Sequence, residues 1–103
     1  MNRPANSPAQ INYRNAKAST DAAEAAFDAV NCEDLDAMNA AEAAFDAASI
    51  AEEEAGTELI QWMRSVIIAE KAPAEALVAV DAALAGDRRF RARILDLAEA
   101  VAA

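Results

Sequence analysis

Apolar side chains recur along this chain at intervals of three and four residues, the repeat of a helix face. Ala23, Phe27 and Val30 form one stripe, with Glu24 and Asp28 turned to another face. Ser19-Thr20-Asp21 precedes it, and Asp21 with Glu24 has capping-box spacing, so a first helix is expected to begin there. The heptapeptide 23–29 (AEAAFDA) then returns unchanged at 41–47, eighteen residues later. That offset is five helical turns, so on one unbroken helix both copies face the same way. Asp34 would then intrude among the residues of the Phe27/Phe45 stripe. A turn at 31–34 removes the conflict, with Asn31 closing one helix and capping the next. The expectation is a short helix to Val30 and a second from about Glu33 to Ala55, with one long kinked helix as the alternative.

Gly56 reads as a C-terminal stop and Thr57 as an N-cap for a third helix from Glu58 to about Lys71. Leu59, Ile60, Trp62, Met63, Val66, Ile67 and Ile68 cover most of its circumference, which makes it central. Pro73 suits the first turn of a fourth helix, striped by Leu77, Val80 and Leu84 and ended by Gly86. Asp87 caps a fifth, whose buried face would be Phe90, Ile94, Leu97 and Val101. Residues 1–17, rich in Asn, Pro and Ser, read as a flexible N-terminal arm anchored only by Ile11 and Tyr13. The predicted architecture is all-α: a small bundle of about five helices in a single domain over 18–103. Residues 18–56 would be an acidic, Ala-rich hairpin or kinked helix, and 57–103 a three-helix apolar core.

Composition sharpens the division. Of 103 residues, 31 are Ala, which buries little surface, and only 26 are larger apolar or sulfur-bearing side chains. Seven of these lie in 21–58 and sixteen in 59–103, so the core belongs to the second part. High Ala content with two Gly supports helix. The longest run of larger apolar residues is Val66-Ile67-Ile68, too short to cross a membrane, and the N-terminus lacks the apolar stretch of a secretory signal. The single Cys32 excludes an internal disulfide. A soluble cytoplasmic protein with no membrane role is the expectation.

Charge is the feature that bears on function. Residues 21–58 hold twelve acids and no base, whereas 59–103 balance at six of each and the first twenty residues carry only Arg3, Arg14 and Lys17. A surface tuned for stability alone would mix signs. Here Glu24/Asp28 and Glu42/Asp46 are like-charge i, i+4 pairs, each costing ~0.2–0.5 kcal/mol. The expected binding surface is therefore Glu24, Asp28, Glu42, Asp46, Glu52, Glu53 and Glu54, presented to a basic partner protein, in the specific version as an inhibitor that mimics nucleic acid. The alternative is a solvated face on a self-associating structural protein, a homodimer joined through the Ala/Phe stripes of the first two helices.

Arg88, Arg89, Arg91 and Arg93 crowd the start of the last helix, where the helix dipole is already positive. They are expected to pair with the protein's own acidic segment, or to hold a phosphate or RNA as a third reading. An acidic balance of −9 and sparse aromatic residues make direct nucleic-acid binding the weaker expectation. With no His, no Gly-rich phosphate loop and no nucleophile beside a base, no catalytic residues are assigned, and a non-enzymatic protein without metal or cofactor is expected.

Overall fold

A computed structural model describes residues 7–101 as four helices and no strand: α1 (Pro8–Ala29), α2 (Leu35–Ala69), α3 (Ala74–Leu84) and α4 (Arg88–Ala100). The all-α bundle is as expected, with two boundaries moved.

The first change is at the N-terminus. Residues 8–17, assigned to a flexible arm, are the first half of α1; residues 1–6 lie outside the described part. Helix α1 begins eleven residues before the expected Ser19-Thr20-Asp21 start because a stronger cap stands upstream. Ser7 Oγ accepts from the Gln10 backbone N–H at 3.2 Å, and Gln10 Oε1 accepts from the Ser7 N–H at 2.8 Å. This is a reciprocal capping box, with Pro8 at the first helical position.

The second change is at Gly56. The expected second and third helices are one continuous 35-residue helix, α2, and Gly56 is buried within it. Its role is close approach, not termination. A Cβ on Gly56 would stand 2.7 Å from Arg91 Nη2 and 3.3 Å from Tyr13 Cε1. Thr57 accordingly caps nothing; its hydroxyl donates back to the Glu53 carbonyl at 3.1 Å.

The remaining punctuation follows the sequence closely. The turn falls at 30–34, although the cap on α2 is Asp34, whose Oδ1 accepts from the Ala37 N–H, and not Asn31. Asn31 instead folds the turn, its Oδ1 accepting from the Glu33 N–H. Gly86, at φ 107°, closes α3 with Asp87 N–H to Ala82 and Gly86 N–H to Ala83, a Schellman arrangement. Asp87 then caps α4 through Oδ1, which accepts from the Arg89 and Phe90 N–H groups. The end of α2 uses the same arrangement with Lys71 in the left-handed conformation at φ 53°, where glycine is the usual residue.

These elements make an elongated molecule of 56 × 31 × 14 Å with two unlike ends. At one end, the first half of α1 and the second half of α2 pack with α3 and α4 around Tyr13, Leu59, Ile60, Met63, Ile67, Val80, Ala83, Ile94 and Ala98. Leu59, Ile60 and Val80 are fully buried, each contributing about 1.5–3 kcal/mol on transfer from water. On α4 the buried positions are Ile94 and Ala98, while Leu97, expected in the core stripe, is 54% exposed. At the other end, the second half of α1 and the first half of α2 run antiparallel as a two-helix arm. From Asp21 to Ala55 not one described residue is buried. Only the seam residues, among them Phe27, Val30, Met38 and Phe45, are half-buried.

Candidate functional site: an acidic cleft on the arm

The antiparallel seam is held in register at its base by Thr20, whose hydroxyl lies 3.1 Å from the Ala48 carbonyl across the pair. Beyond that point the two copies of AEAAFDA meet in opposite directions. Their reversal gathers Glu24, Phe27 and Asp28 of α1 with Glu42, Phe45 and Asp46 of α2 around one cleft of about 450 Å³. Four of the seven predicted binding residues thus share a site whose floor holds two half-buried phenyl rings. The sequence placed Phe27 and Phe45 on an apolar stripe and did not assign them to this site.

The cleft combines two kinds of surface. Its carboxylates are exposed and no Lys or Arg lies between Lys17 and Arg64 to neutralise them, so they act as a summed negative field. Its phenyl faces are themselves electron-rich and attract cations. A guanidinium or ammonium group with an aliphatic stem matches both, the stem on the rings and the charge among the carboxylates. Among the described residues, no group of three or more Cys, Asp or Glu converges as a metal ion requires.

The other three predicted residues lie elsewhere. Glu52 is half-buried on the seam near Tyr13. Glu54 is exposed and borders a shallow depression with Glu53, Thr57, Glu58 and Gln61. Glu53 is engaged within the molecule. Its carboxylate lies 3.5 Å from Arg88 Nη1 and 3.6 Å from Arg91 Nε, and its backbone carbonyl accepts from Arg91 Nη2 at 2.8 Å.

The arginine cluster is therefore split. Arg91, with 11% of its side chain exposed, lies over Gly56 and donates also to Thr57 Oγ1 at 3.2 Å, fixing α4 to the root of the arm. Arg88 reaches Glu53 from solvent, its side chain 80% exposed, and so holds it weakly. Arg89 and Arg93 make no ion pair among the described residues and, with half-buried Phe90 and the exposed Asp87, line a cleft of about 240 Å³.

A further contact joins the ends of the described chain. Gln10, 2% exposed, donates from Nε2 to the carbonyls of Ala98 at 2.7 Å and Val101 at 2.9 Å, closing the C-terminus of α4 with the side chain that also caps α1. Lys17 lies 3.6 Å from Glu99, which raises the lysine pKa above its ordinary 10.5. Burial raises that of Tyr13 above 10.0.

Fold and site together define an all-α helical bundle that carries a projecting acidic two-helix arm. No protein-family model, curated protein or solved structure matches the chain.

Proposed function

We propose that this protein is a small non-enzymatic interaction module whose arm presents an acidic, phenyl-floored cleft to a basic protein surface. The observation that carries the reading is the convergence of Glu24, Asp28, Glu42 and Asp46 on Phe27 and Phe45. The four cleft carboxylates are like-charged i, i+4 pairs that oppose helix formation, and no residue from Asp21 to Ala55 is buried, which supports a role for them outside the fold. A partner bearing Lys or Arg would be steered by the field and seated on the rings. Nucleic-acid-binding proteins offer such surfaces, so inhibition by charge mimicry is the specific form of this reading. Cytoplasmic action belongs to the same proposal.

The test is a tagged pull-down from source-cell lysate, read by mass spectrometry. Wild type is compared with a variant combining Glu24→Gln, Asp28→Asn, Glu42→Gln and Asp46→Asn, with helix content checked by circular dichroism. A basic protein retained by wild type and lost with the equally helical variant supports the proposal. Identical retained proteins would overturn it.

A further inference from the structure

We infer that two copies of this chain exchange their first helices. In the exchanged dimer the turn at 30–34 straightens, α1 and α2 become one helix over residues 8–69, and each α1 packs into the four-helix end of the other copy.

The seam keeps its helical phase through the turn. On α1 it runs through half-buried Ala23, Phe27 and Val30, and on α2 through half-buried Met38, Ala41 and Phe45. Asp34 stands four residues from Val30 and four from Met38, so the spacing of three and four continues across the break. Straightened, the chain therefore presents both halves of the seam on one face. A hairpin alone does not require this, because its turn can join two helices at any phase.

The turn itself is compatible with helix. None of Val30, Asn31, Cys32, Glu33 and Asp34 is Gly or Pro, and none has a positive φ. The other two turns differ: Lys71 lies at φ 53° shortly before Pro73, and Gly86 lies at φ 107°. The 30–34 turn is held by short-range bonds, Asp34 N–H to the Asn31 carbonyl at 2.9 Å and the Asn31 and Asp34 side-chain bonds, and ordinary helical hydrogen bonds replace them on opening.

Symmetry conserves the rest. Thr20 pairs with Ala48, and the two are equidistant from residue 34. A two-fold axis near that residue rebuilds each seam contact between chains and closes the assembly at two copies. The Gln10 bonds to Ala98 and Val101 re-form in the same way with the other copy's α4. Two effects oppose the exchange. Asp34 loses its capping bond, and Glu33, Asp34 and Asp36 of both chains meet at the axis. Salt screens that repulsion, so high salt and high protein concentration favour the dimer. Exchange requires release of buried Tyr13 and Gln10 from the four-helix end, which makes it slow without denaturant.

The experiment refolds the full chain from urea at high protein concentration and high salt, and separates the products by size-exclusion chromatography with light scattering. Wild type is expected to give a dimer beside the monomer. Connectivity is read in a chain combining Thr20→Cys, Ala48→Cys and Cys32→Ser, treated after separation with a short bifunctional thiol reagent. In the monomer the new pair is bridged within one chain; in the exchanged dimer it links two chains and gives a covalent dimer on a denaturing gel. A dimer fraction that yields only covalent monomers is a side-by-side dimer and overturns the inference. Two hinge variants test the same point without the added cysteines. Cys32→Gly with Glu33→Gly disfavours helix at the turn in both chains and should weaken the dimer at least about a hundredfold. Asp34→Leu removes the cap and fills the stripe, and should strengthen it at least about tenfold. Wild type that stays monomeric after refolding, or hinge variants whose dimer fractions match wild type, would also overturn it.

Discussion

Gly56→Ala is the substitution that separates the two explanations for a glycine at this point in the chain. In an exposed helix interior, Ala is more favourable than Gly by about 1 kcal/mol. If Gly56 were merely a weak point of α2, the substitution would stabilise the protein by that amount. The structure gives the opposite sign. The new Cβ would stand 2.7 Å from Arg91 Nη2, which is fixed by its 2.8 Å bond to the Glu53 carbonyl and by the Arg91–Thr57 bond at 3.2 Å. Moving the guanidinium away weakens a charge-assisted hydrogen bond worth about 1.5–3 kcal/mol. The net expectation is a destabilisation of ~0.5–2 kcal/mol, the difference between that loss and the propensity gain. In an Arg91→Ala background the obstruction is gone. Tyr13 Cε1 remains at 3.3 Å and needs to yield only a few tenths of an ångström, so the same substitution should there stabilise by up to ~1 kcal/mol. Urea unfolding followed by circular dichroism on the four proteins of this cycle gives the coupling directly. A Gly56→Ala effect of the same sign and size in both backgrounds would refute the seating of Arg91 on Gly56.

Three other outcomes are expected. Gln10→Ala removes an acceptor for the Ser7 N–H and a donor to the Ala98 and Val101 carbonyls at the end of α4, and should cost ~2–4 kcal/mol in chemical denaturation; a loss below ~1 kcal/mol would show that the two ends of the described chain are not joined as described. Asp28→Lys and Asp46→Lys each turn a like-charge pair into an i, i+4 Glu–Lys pair and should raise the thermal midpoint slightly, by ~0.4–1 kcal/mol in stability; a lowered midpoint would show that arm acidity serves the fold. The raised pKa values of Tyr13 and Lys17 act in one direction: the unfolded chain loses these protons first, so stability is full below pH 10.0 and falls as pH climbs toward the folded values. Tyr13→Phe should flatten part of that alkaline fall in thermal scans, and an unchanged slope would refute the assignment.

Much of the fold was legible because its signals are local. Pro73, Gly86 and Asp87 bracket α3 and α4 through their own backbone preferences, and the conflict between Asp34 and the Phe stripe located the turn. What was missed depends on residues distant in sequence. Whether Gly56 ends a helix or admits a neighbour is decided by Arg91. Residues 8–17 carry few apolar side chains, and their helix is secured by Gln10 on α4 and Tyr13 in the core; the Ser7-Pro8-Ala9-Gln10 spacing was the available signal. The carboxylate pairs could be read from the repeated heptapeptide, but their gathering around one cleft needed the reversal at the turn. No pattern distinguished Glu53, held by Arg88 and Arg91, from its neighbours Glu52 and Glu54.

The absence of any buried residue from Asp21 to Ala55 divides this chain into two regimes of mutational freedom. At the core end, a side chain is judged by whether it fits its neighbours, and most replacements are rejected on volume alone. Along the arm, helix formation and a narrow seam are the only demands folding makes, and many sequences meet them. Apart from the Asp34 cap and the Glu53 pair with Arg91, charge there can change sign by sign without endangering the molecule. A library randomised at the outward positions of the arm should stay largely folded, which makes this end a surface that selection, natural or in the laboratory, can rewrite toward a new partner while the four-helix end carries it unchanged.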